Sequence, residues 1–285
     1  MTTTERPILV LGATGGQGGA VIDALSGRGA ALRALVRDPN SASARRLAAR
    51  GIEVVAGSLD NRDSLAAAMR QVSSVFALTT PFEAGPNAEI EQGQAILGAA
   101  GAATVPHLVF SSVAGADQGS GVPHFESKAV VEREIAAGDV PYSILGPTYF
   151  FDNALGGEQD IRNGVLSLPL SGNRPLQQLA RRDLGEFAAQ VLLAPQPFVG
   201  RRIELASDDP TPAQMATALS VSLGRAVHHQ ETPLSEVDND DMFAMWTFLG
   251  GKGYRVDLAA LHADYPNVGW TSFADWSVQT LGASS

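Results

Sequence analysis

The stretch Ile8-Leu9-Val10-Leu11-Gly12-Ala13-Thr14-Gly15-Gly16-Gln17-Gly18 decides the fold of this 285-residue chain. An apolar run leads directly into glycines spaced three apart, and a segment of helical spacing follows. Glycines allow a tight turn and let backbone N–H groups approach a diphosphate at the positive end of a helix. The stretch therefore predicts a nucleotide-binding turn formed by Gly12, Thr14, Gly15, Gly16, Gln17 and Gly18. The alternative is a glycine-rich turn that only packs the helix against the strand.

The first 150 residues alternate between short β-branched runs and alanine-rich segments of helical spacing. This alternation is typical of parallel strands joined by crossover helices. It predicts strands at Ile8–Leu11, Leu32–Val36, Ile52–Ala56, Val75–Leu78, His107–Ser111 and Tyr142–Leu145. It predicts helices at Gln17–Arg28, Ser43–Arg50, Asp63–Gln71, Glu89–Ala102 and Glu126–Ala137. Six strands with five crossovers make an α/β fold, a Rossmann-type doubly wound parallel sheet.

The regular alternation fails beyond about residue 150. We expect an NAD(P)-binding Rossmann domain over residues 1–150 and a smaller α+β lobe over 151–285, which binds substrate or a partner and does not fold independently. Helices are expected in this lobe at Asp183–Leu193, Pro212–Leu223 and Phe273–Thr280. Short strands are expected at Leu176–Ala180 and Arg202–Ala206.

Composition excludes several classes of protein. The chain is 45% hydrophobic and 18% charged, and no apolar run is long enough to span a bilayer. It has no cysteine, so disulfides, thiolate metal sites and thiol nucleophiles are excluded. Redox chemistry would therefore need a cofactor.

The net charge of -10 opposes attraction to phosphate backbones, so direct nucleic-acid binding is not expected. The start, Met1–Pro7, lacks the basic and apolar regions of a signal peptide, which favours a cytoplasmic protein with no membrane partner. The expected partner is a small apolar substrate. A protein partner or a homodimer stays open.

Arg37 follows the second predicted strand, where many NAD enzymes carry an acidic residue for the ribose hydroxyls. A guanidinium suits a 2′-phosphate instead, because it can form paired hydrogen bonds with it. Arg37 therefore favours NADP(H) over NAD(H). The alternative is a solvated charge at the strand end that Asp38 offsets.

Other predicted strands end in residues suited to a nucleotide, since open α/β sheets bind ligands at the carboxyl ends of their strands. Asp60 follows the third strand and is a candidate for the adenine amino group; an N-cap of the next helix is the alternative. Leu78, Thr79 and Thr80 end the fourth strand and are expected near the ribose and nicotinamide, with Phe82 beyond them.

These residues resemble the NmrA-like branch of the atypical short-chain dehydrogenases. The similar segments are Gly12–Gly16, Val36–Asp38, Gly57–Asp60, Ser111–Val113, His124–Lys128, Pro147–Asn153 and Arg182–Gly185. The resemblance implies that Ser111, Pro147 and Tyr149 also bind the cofactor. The family includes NADPH-dependent reductases of quinones and triphenylmethane dyes, and also NADP-binding regulators without demonstrated turnover.

Ordinary short-chain dehydrogenases use a Tyr-x-x-x-Lys dyad, in which the phenol transfers a proton and the ammonium holds the nicotinamide ribose. The corresponding place here reads His124-x-x-x-Lys128, and no tyrosine of the chain has a lysine four residues on. Only two of the 20 Lys and Arg residues are lysines, and a compact ammonium fits between ribose hydroxyls better than a guanidinium. Lys128 is therefore expected to bind the ribose; a solvated helix lysine is the alternative.

Lys128, His124 and Tyr149 are the catalytic candidates. His124 lies four residues before Lys128, so both side chains share one helix face. Its imidazole could donate a proton to a reducing substrate, or it could shape the pocket or cap the helix without proton transfer. A metal role is not expected, because the other histidines show no ligand spacing with it.

Aromatic residues near the predicted strand ends could form an apolar pocket for a flat conjugated acceptor. The substrate-binding candidates are Phe82, Phe125, Phe150, Phe151 and Trp246. We expect at least two of the aromatic residues at the strand ends to be core instead. Met242 and Met245 could close the pocket, although their helical spacing favours ordinary packing.

The sequence thus favours an NADPH-dependent oxidoreductase that transfers hydride to an apolar conjugated acceptor such as a quinone, a dye or an enone. The alternative is a catalytically silent NADP(H)-binding sensor that acts through a protein partner.

Overall fold

The structure is a computed structural model that describes residues 6–282. Residues 1–5, which make up most of the stretch where we expect no signal peptide, lie outside the described residues. Within those residues, no helix is both long and apolar enough to cross a bilayer.

Eleven strands lie in the described part of the chain. In chain order they are β1 Ile8–Val10, β2 Leu32–Val36, β3 Glu53–Ala56, β4 Ser74–Leu78, β5 Leu108–Ser111, β6 Tyr142–Pro147, β7 Tyr149–Phe150, β8 Val165–Leu168, β9 Gln178–Leu179, β10 Arg201–Leu205 and β11 His228–Glu231. The α-helices of the same residues are α1 Gly16–Ser26, α2 Ala42–Ala49, α3 Arg62–Ala68, α4 Gly85–Ala102, α5 Pro123–Ala137, α6 Glu158–Arg162, α7 Arg181–Leu193, α8 Pro212–Leu223, α9 Asp240–Gly250, α10 Leu258–Asp264 and α11 Phe273–Leu281.

Seven strands form one parallel sheet in the order β10-β6-β5-β4-β1-β2-β3. Within this sheet, β1 to β6 have the 3-2-1-4-5-6 order of dinucleotide-binding sheets. The prediction of a Rossmann-type doubly wound sheet is therefore confirmed. The predicted count of six strands is wrong, because β10 pairs in parallel with β6, from Arg201 opposite Ser143 to Leu205 opposite Pro147. The sequence predicted this strand but not its pairing with a strand much earlier in the chain.

The sheet is covered on both faces, as parallel strands require. On one face, α1 and α7 bury apolar residues such as Val21, Ile22, Leu184 and Phe187 against the strands. On the other face, α3, α4 and α5 contribute a second core. Because both faces are sealed, the carboxyl ends of the strands are where the fold leaves room for a ligand.

The second half adds a third core beside the sheet, built by helices that include α8, α9 and α11 around Trp246, Phe248, Phe273 and Trp276. Two short parallel pairs, β7 with β9 and β8 with β11, also belong to this half. The predicted helices α7, α8 and α11 are present, whereas α6, α9 and α10 are additional. The boundary at residue 150 stays a prediction, but α7 and β10 beyond it pack with the main sheet.

Candidate active site

A cavity of about 690 Å³ opens along the carboxyl ends of the main strands and extends to α9. It brings together most of the residues singled out in the sequence. The predicted residues that line it are Gly12, Thr14, Gly15, Gly16, Gln17, Arg37, Asp60, Leu78, Thr80, Phe82, His124, Phe125, Lys128, Pro147, Tyr149, Phe150 and Trp246.

The glycine turn forms one end of this cavity. Gly12 has φ +65°, a conformation that favours glycine, and a side chain on Gly18 would overlap the backbone of Gly12. Helix α1 therefore begins directly against the turn. Its first turn has no acidic residue, and Gly15 caps it without a side-chain hydrogen bond. The N–H groups at this helix start are free to bind an anion, so the turn fits a diphosphate.

Three predicted cofactor residues lie behind the cavity wall and do not line it. Gly18 packs α1 against the turn. Ser111 donates a hydrogen bond to Gln17 Oε1 at 2.7 Å, and buried Thr79 donates one to Glu89 Oε1 at 2.9 Å. These three residues therefore hold neighbouring parts of the site in place and do not face the cavity themselves.

Arg37 lies at the carboxyl end of β2, on the rim of the cavity. Its side chain is exposed and forms a 3.2 Å ion pair with Glu83, which also lines the cavity. Asp38 instead accepts a hydrogen bond from the Asn40 backbone. Asp38 therefore does not pair with Arg37 in the described part of the chain. The guanidinium is nevertheless largely solvated at the strand end, so its contact with a 2′-phosphate stays a prediction.

Asp60 lines the same end of the cavity. Its carboxylate accepts hydrogen bonds from Ser58 Oγ at 3.2 Å and from Gln92 Nε2 at 3.3 Å. The N-cap of α3 is Asn61, whose side chain accepts from the Ser64 backbone. The N-cap alternative for Asp60 is therefore wrong.

Lys128 is 8% exposed and borders the cavity from α5. Its ammonium lies 2.7 Å from Oε1 of Glu89, a fully buried carboxylate on α4, and 3.3 Å from the Thr79 carbonyl oxygen. Ser127 donates a 2.5 Å hydrogen bond to the other Glu89 oxygen. The alternative of a solvated helix lysine is wrong, because this ammonium is held in a fixed place at the cavity wall.

His124 lies one helical turn before Lys128 and also lines the cavity. Its Nδ1 is 2.7 Å from Oδ1 of Asp241, at the start of α9. The exposed ring of Phe82 lies 5.8 Å from the imidazole, between ring centroids. The contact with Asp241 orients the imidazole and leaves Nε2 without a hydrogen-bond partner among residues 6–282.

Two tyrosines lie deep in the cavity wall, Tyr149 on β7 and Tyr254 after α9. Burial raises the pKa of Tyr149 to about 12, although a hydrogen bond with the Asn153 side chain acts in the opposite direction. Burial, with nearby Tyr149 and Glu204, raises the pKa of Tyr254 as well. Both phenols therefore stay protonated near neutral pH and can donate hydrogen bonds.

The apolar part of the wall is aromatic, as expected, but Phe151 does not belong to it. Phe151 is fully buried against Phe273 and Trp276. Met245 packs in the apolar core with Trp246, and Met242 packs against that core, as expected; both also line the cavity. Helix α9 thus closes one side of the pocket.

Several residues of the site were not expected from the sequence, among them Glu83, Glu89, Gln92, Arg181, Asp241 and Tyr254. One signal existed for Glu89. It lies on the helical face of α4 that also buries Gly93, Ile96 and Ala100, so an acidic residue occupies a core position of an apolar stripe.

Within residues 6–282, no three His, Asp or Glu side chains are grouped so that they could hold a metal ion.

The parallel sheet and the glycine turn after its first strand define a protein of the Rossmann type. The sequence profile of the NmrA-like family matches residues 4–260. The chain belongs to this family, which confirms the resemblance seen in its motifs.

Three known proteins show the range of similarity. The NAD(P)H azoreductase of Xenophilus azovorans is 30% identical over 236 residues, which cover 80% of this chain and 78% of that protein. The solved structure of the Escherichia coli NADPH-dependent quinone oxidoreductase complexed with NADPH has a TM-score of 0.81 and 25% identity, covering 96% of this chain and 100% of that one. The Citrobacter sp. triphenylmethane reductase complexed with NADP(H) shares the fold, with a TM-score of 0.81, 24% identity and coverage of 95% and 99%.

Proposed function

We propose that this protein is an NADPH-dependent oxidoreductase that reduces an apolar conjugated acceptor, such as a quinone, an azo or triphenylmethane dye, or an enone. The observation that carries the proposal is that one continuous cavity joins the start of α1 and Arg37 at one end to an aromatic pocket at the other. Relatives that act as an NAD(P)H azoreductase and a quinone oxidoreductase support it.

The residues present fit a nicotinamide dinucleotide. The N–H groups of Gly16 and Gln17 would bind the diphosphate, since the Gly15 N–H already donates to the Gly12 carbonyl oxygen. Arg37 would bind the 2′-phosphate and Lys128 the nicotinamide ribose. When bound, this cofactor would supply the hydride that reduces the acceptor. Reduction of a quinone, an azo bond or an enone also needs a proton from the protein or from solvent, whereas a cationic triphenylmethane dye takes up the hydride alone.

His124 is the side chain placed to hand over that proton, and its contact with Asp241 holds the ring in place. A carboxylate at Nδ1 orients an imidazole and stabilises positive charge that develops on it. Tyr149 contributes a neutral hydrogen-bond donor. A quinone or dye spreads the charge that develops on reduction, so these groups suffice without the usual tyrosine dyad.

The first test is NADPH consumption by the purified protein with a panel of quinones, dyes and enones. We expect consumption above the protein-free background, and faster turnover with NADPH than with NADH. No consumption with any acceptor would contradict the proposal. NADP(H)-dependent binding to a protein partner without turnover would support the sensor instead.

The second test addresses cofactor choice. Arg37→Gln removes a charge-assisted contact, so we expect it to weaken NADPH binding about ten- to a hundredfold and leave NADH binding unchanged. Arg225→Gln, at an exposed arginine after α8, is the control for the lost charge. An unchanged ratio of NADPH to NADH affinity in calorimetry would refute the assignment to Arg37.

A further inference from the structure

Helix α7 places an arginine from the second half of the chain over the glycine turn. The helix lies directly on α1, because a side chain on Gly185 would overlap the backbone of Ala20. Its start is anchored by Asp183, which is fully buried and accepts hydrogen bonds from Ser207 and Thr271. Arg181, the first residue of this helix, is thereby fixed beside the start of α1.

The guanidinium of Arg181 occupies the space that a side chain on Gly16 would fill. A Cβ atom built on Gly16 would lie 2.6 Å from Arg181 Cζ. The guanidinium also lies 5.9 Å from the centroid of the Phe150 ring, and Arg181 lines the cavity. The guanidinium, which carries five N–H donors, therefore lies beside the free N–H groups at the start of α1.

The guanidinium is weakly held within the described residues. It makes one ion pair, with Asp152 at 3.4 Å, and no side-chain hydrogen bond. Arg202, by comparison, donates three hydrogen bonds of 3.0 Å or shorter. A planar cation with unused donors, next to a positive helix end, suits an anion with several oxygens.

We propose that Arg181 is a diphosphate-binding residue, and that Asp152 competes with the diphosphate for it. Binding of a dinucleotide exchanges the Asp152 carboxylate for phosphate oxygens on the same guanidinium. The inference rests on the cofactor of the proposed function but not on turnover. It gives the two partners effects of opposite sign: loss of Arg181 weakens binding, and loss of the Asp152 charge strengthens it.

The test is calorimetric titration with three ligands: NADPH, ADP-ribose, which has the diphosphate without the 2′-phosphate, and 2′-AMP, which has the 2′-phosphate without the diphosphate. We expect Arg181→Gln to weaken NADPH and ADP-ribose about ten- to a hundredfold and to leave 2′-AMP within about twofold. Arg181→Lys keeps the charge without the planar fork, so we expect a smaller loss. Asp152→Asn should tighten NADPH and ADP-ribose.

The controls are Arg225→Gln and Asp160→Asn, which change charge at exposed positions that do not line the cavity. Unfolding curves show whether each variant is folded, and Arg181→Lys replaces Arg181→Gln if the latter is not. Equal losses for 2′-AMP and NADPH, wild-type NADPH affinity in both Arg181 variants, or weaker binding in Asp152→Asn would each overturn the inference.

Failure of the role proposed for Arg181 can be told apart from failure of the proposed reductase activity. A protein that binds the three ligands in the expected pattern but reduces no acceptor contradicts the reductase and supports the role of Arg181. A protein that reduces acceptors while Arg181→Gln binds NADPH normally contradicts only the role of Arg181. Failure of the wild-type protein to bind NADPH and ADP-ribose contradicts both.

Discussion

Two buried polar clusters lie at opposite ends of the parallel strands. The cavity-end cluster consists of Thr79, Glu89, Ser127 and Lys128, and it contains a buried ammonium and a buried carboxylate. The amino-end cluster consists of His107 and Ser143, and burial lowers the pKa of its imidazole to about 4, so it is neutral at pH 7.

The difference shows where the fold tolerates buried charge. Desolvating two ions can cost as much as their attraction returns, so stability alone does not favour the Lys128–Glu89 pair over an apolar pair. At the amino end the buried polar groups, His107 and Ser143, are neutral, so burying them costs less free energy. Charge retained beside the cavity marks the carboxyl end of the strands as the working end.

The largest expected effect comes from breaking the charged cluster. Lys128→Met leaves the Glu89 carboxylate buried without its counter-ion, so we expect the free energy of unfolding to fall by about 3–5 kcal/mol. Urea denaturation at pH 7 measures this change. Adding Glu89→Gln should restore much of the loss, because the remaining charge is removed.

The control for this prediction is Arg162→Met, which breaks the half-exposed pair with Glu158 and should cost less than about 1 kcal/mol. Equal losses in Lys128→Met and Arg162→Met would show that the cavity-end pair is no more important to stability than a surface pair.

The second prediction concerns the amino end. The pKa of His107 is lowered from 6.5 to about 4, so between these pH values the unfolded chain binds a proton that the native protein does not. The free energy of unfolding should therefore fall as the pH falls through this window, by on the order of 3 kcal/mol from this group. In His107→Gln this component should be absent.

Denaturation of the wild type and of His107→Gln from pH 7 to pH 4 gives the two free energies of unfolding. Their difference isolates the contribution of His107, because the carboxylates that titrate in this range are the same in both proteins. His228→Gln, at an exposed histidine, should follow the wild-type curve. Parallel curves for His107→Gln and wild type would contradict the neutral buried imidazole.

The smallest expected effect concerns His124. Its imidazole contacts the carboxylate of Asp241, whereas the imidazole of His107 contacts the hydroxyl of Ser143. Asp241→Asn removes the charge that holds His124, so we expect kcat to fall about ten- to a hundredfold with KM little changed. Asp240→Asn, at the exposed neighbouring acid, is the matched control. Equal kcat values in the two variants would exclude an oriented His124 from the proton transfer.

The nucleotide end of the site could be predicted because its signals are local. Gly12, Gly15 and Gly18 are three residues apart, and the strand and helix that flank them are continuous in sequence. Arg37 was found in the same way, from its place at the end of one strand. Backbone geometry within a few residues fixes these positions.

The long-range contacts of the site could not be predicted from the sequence, because they join distant parts of the chain. Asp241 meets His124 only because α9 packs beside α5, and Arg181 reaches Gly16 only because α7 lies on α1. Phe151 was expected in the substrate pocket and lies in the core instead. An aromatic residue next to cavity-lining Phe150 points into the core, since neighbouring side chains leave the backbone in different directions.

The position of β10 has a consequence for how the protein is made. The strand that borders β6 begins only at Arg201, long after the other six strands have left the ribosome. Until it arrives, the nascent sheet has an unpaired edge that another chain could extend. We therefore expect the sheet to close late in translation, and truncations before Arg201 to aggregate rather than yield a small nucleotide-binding fragment.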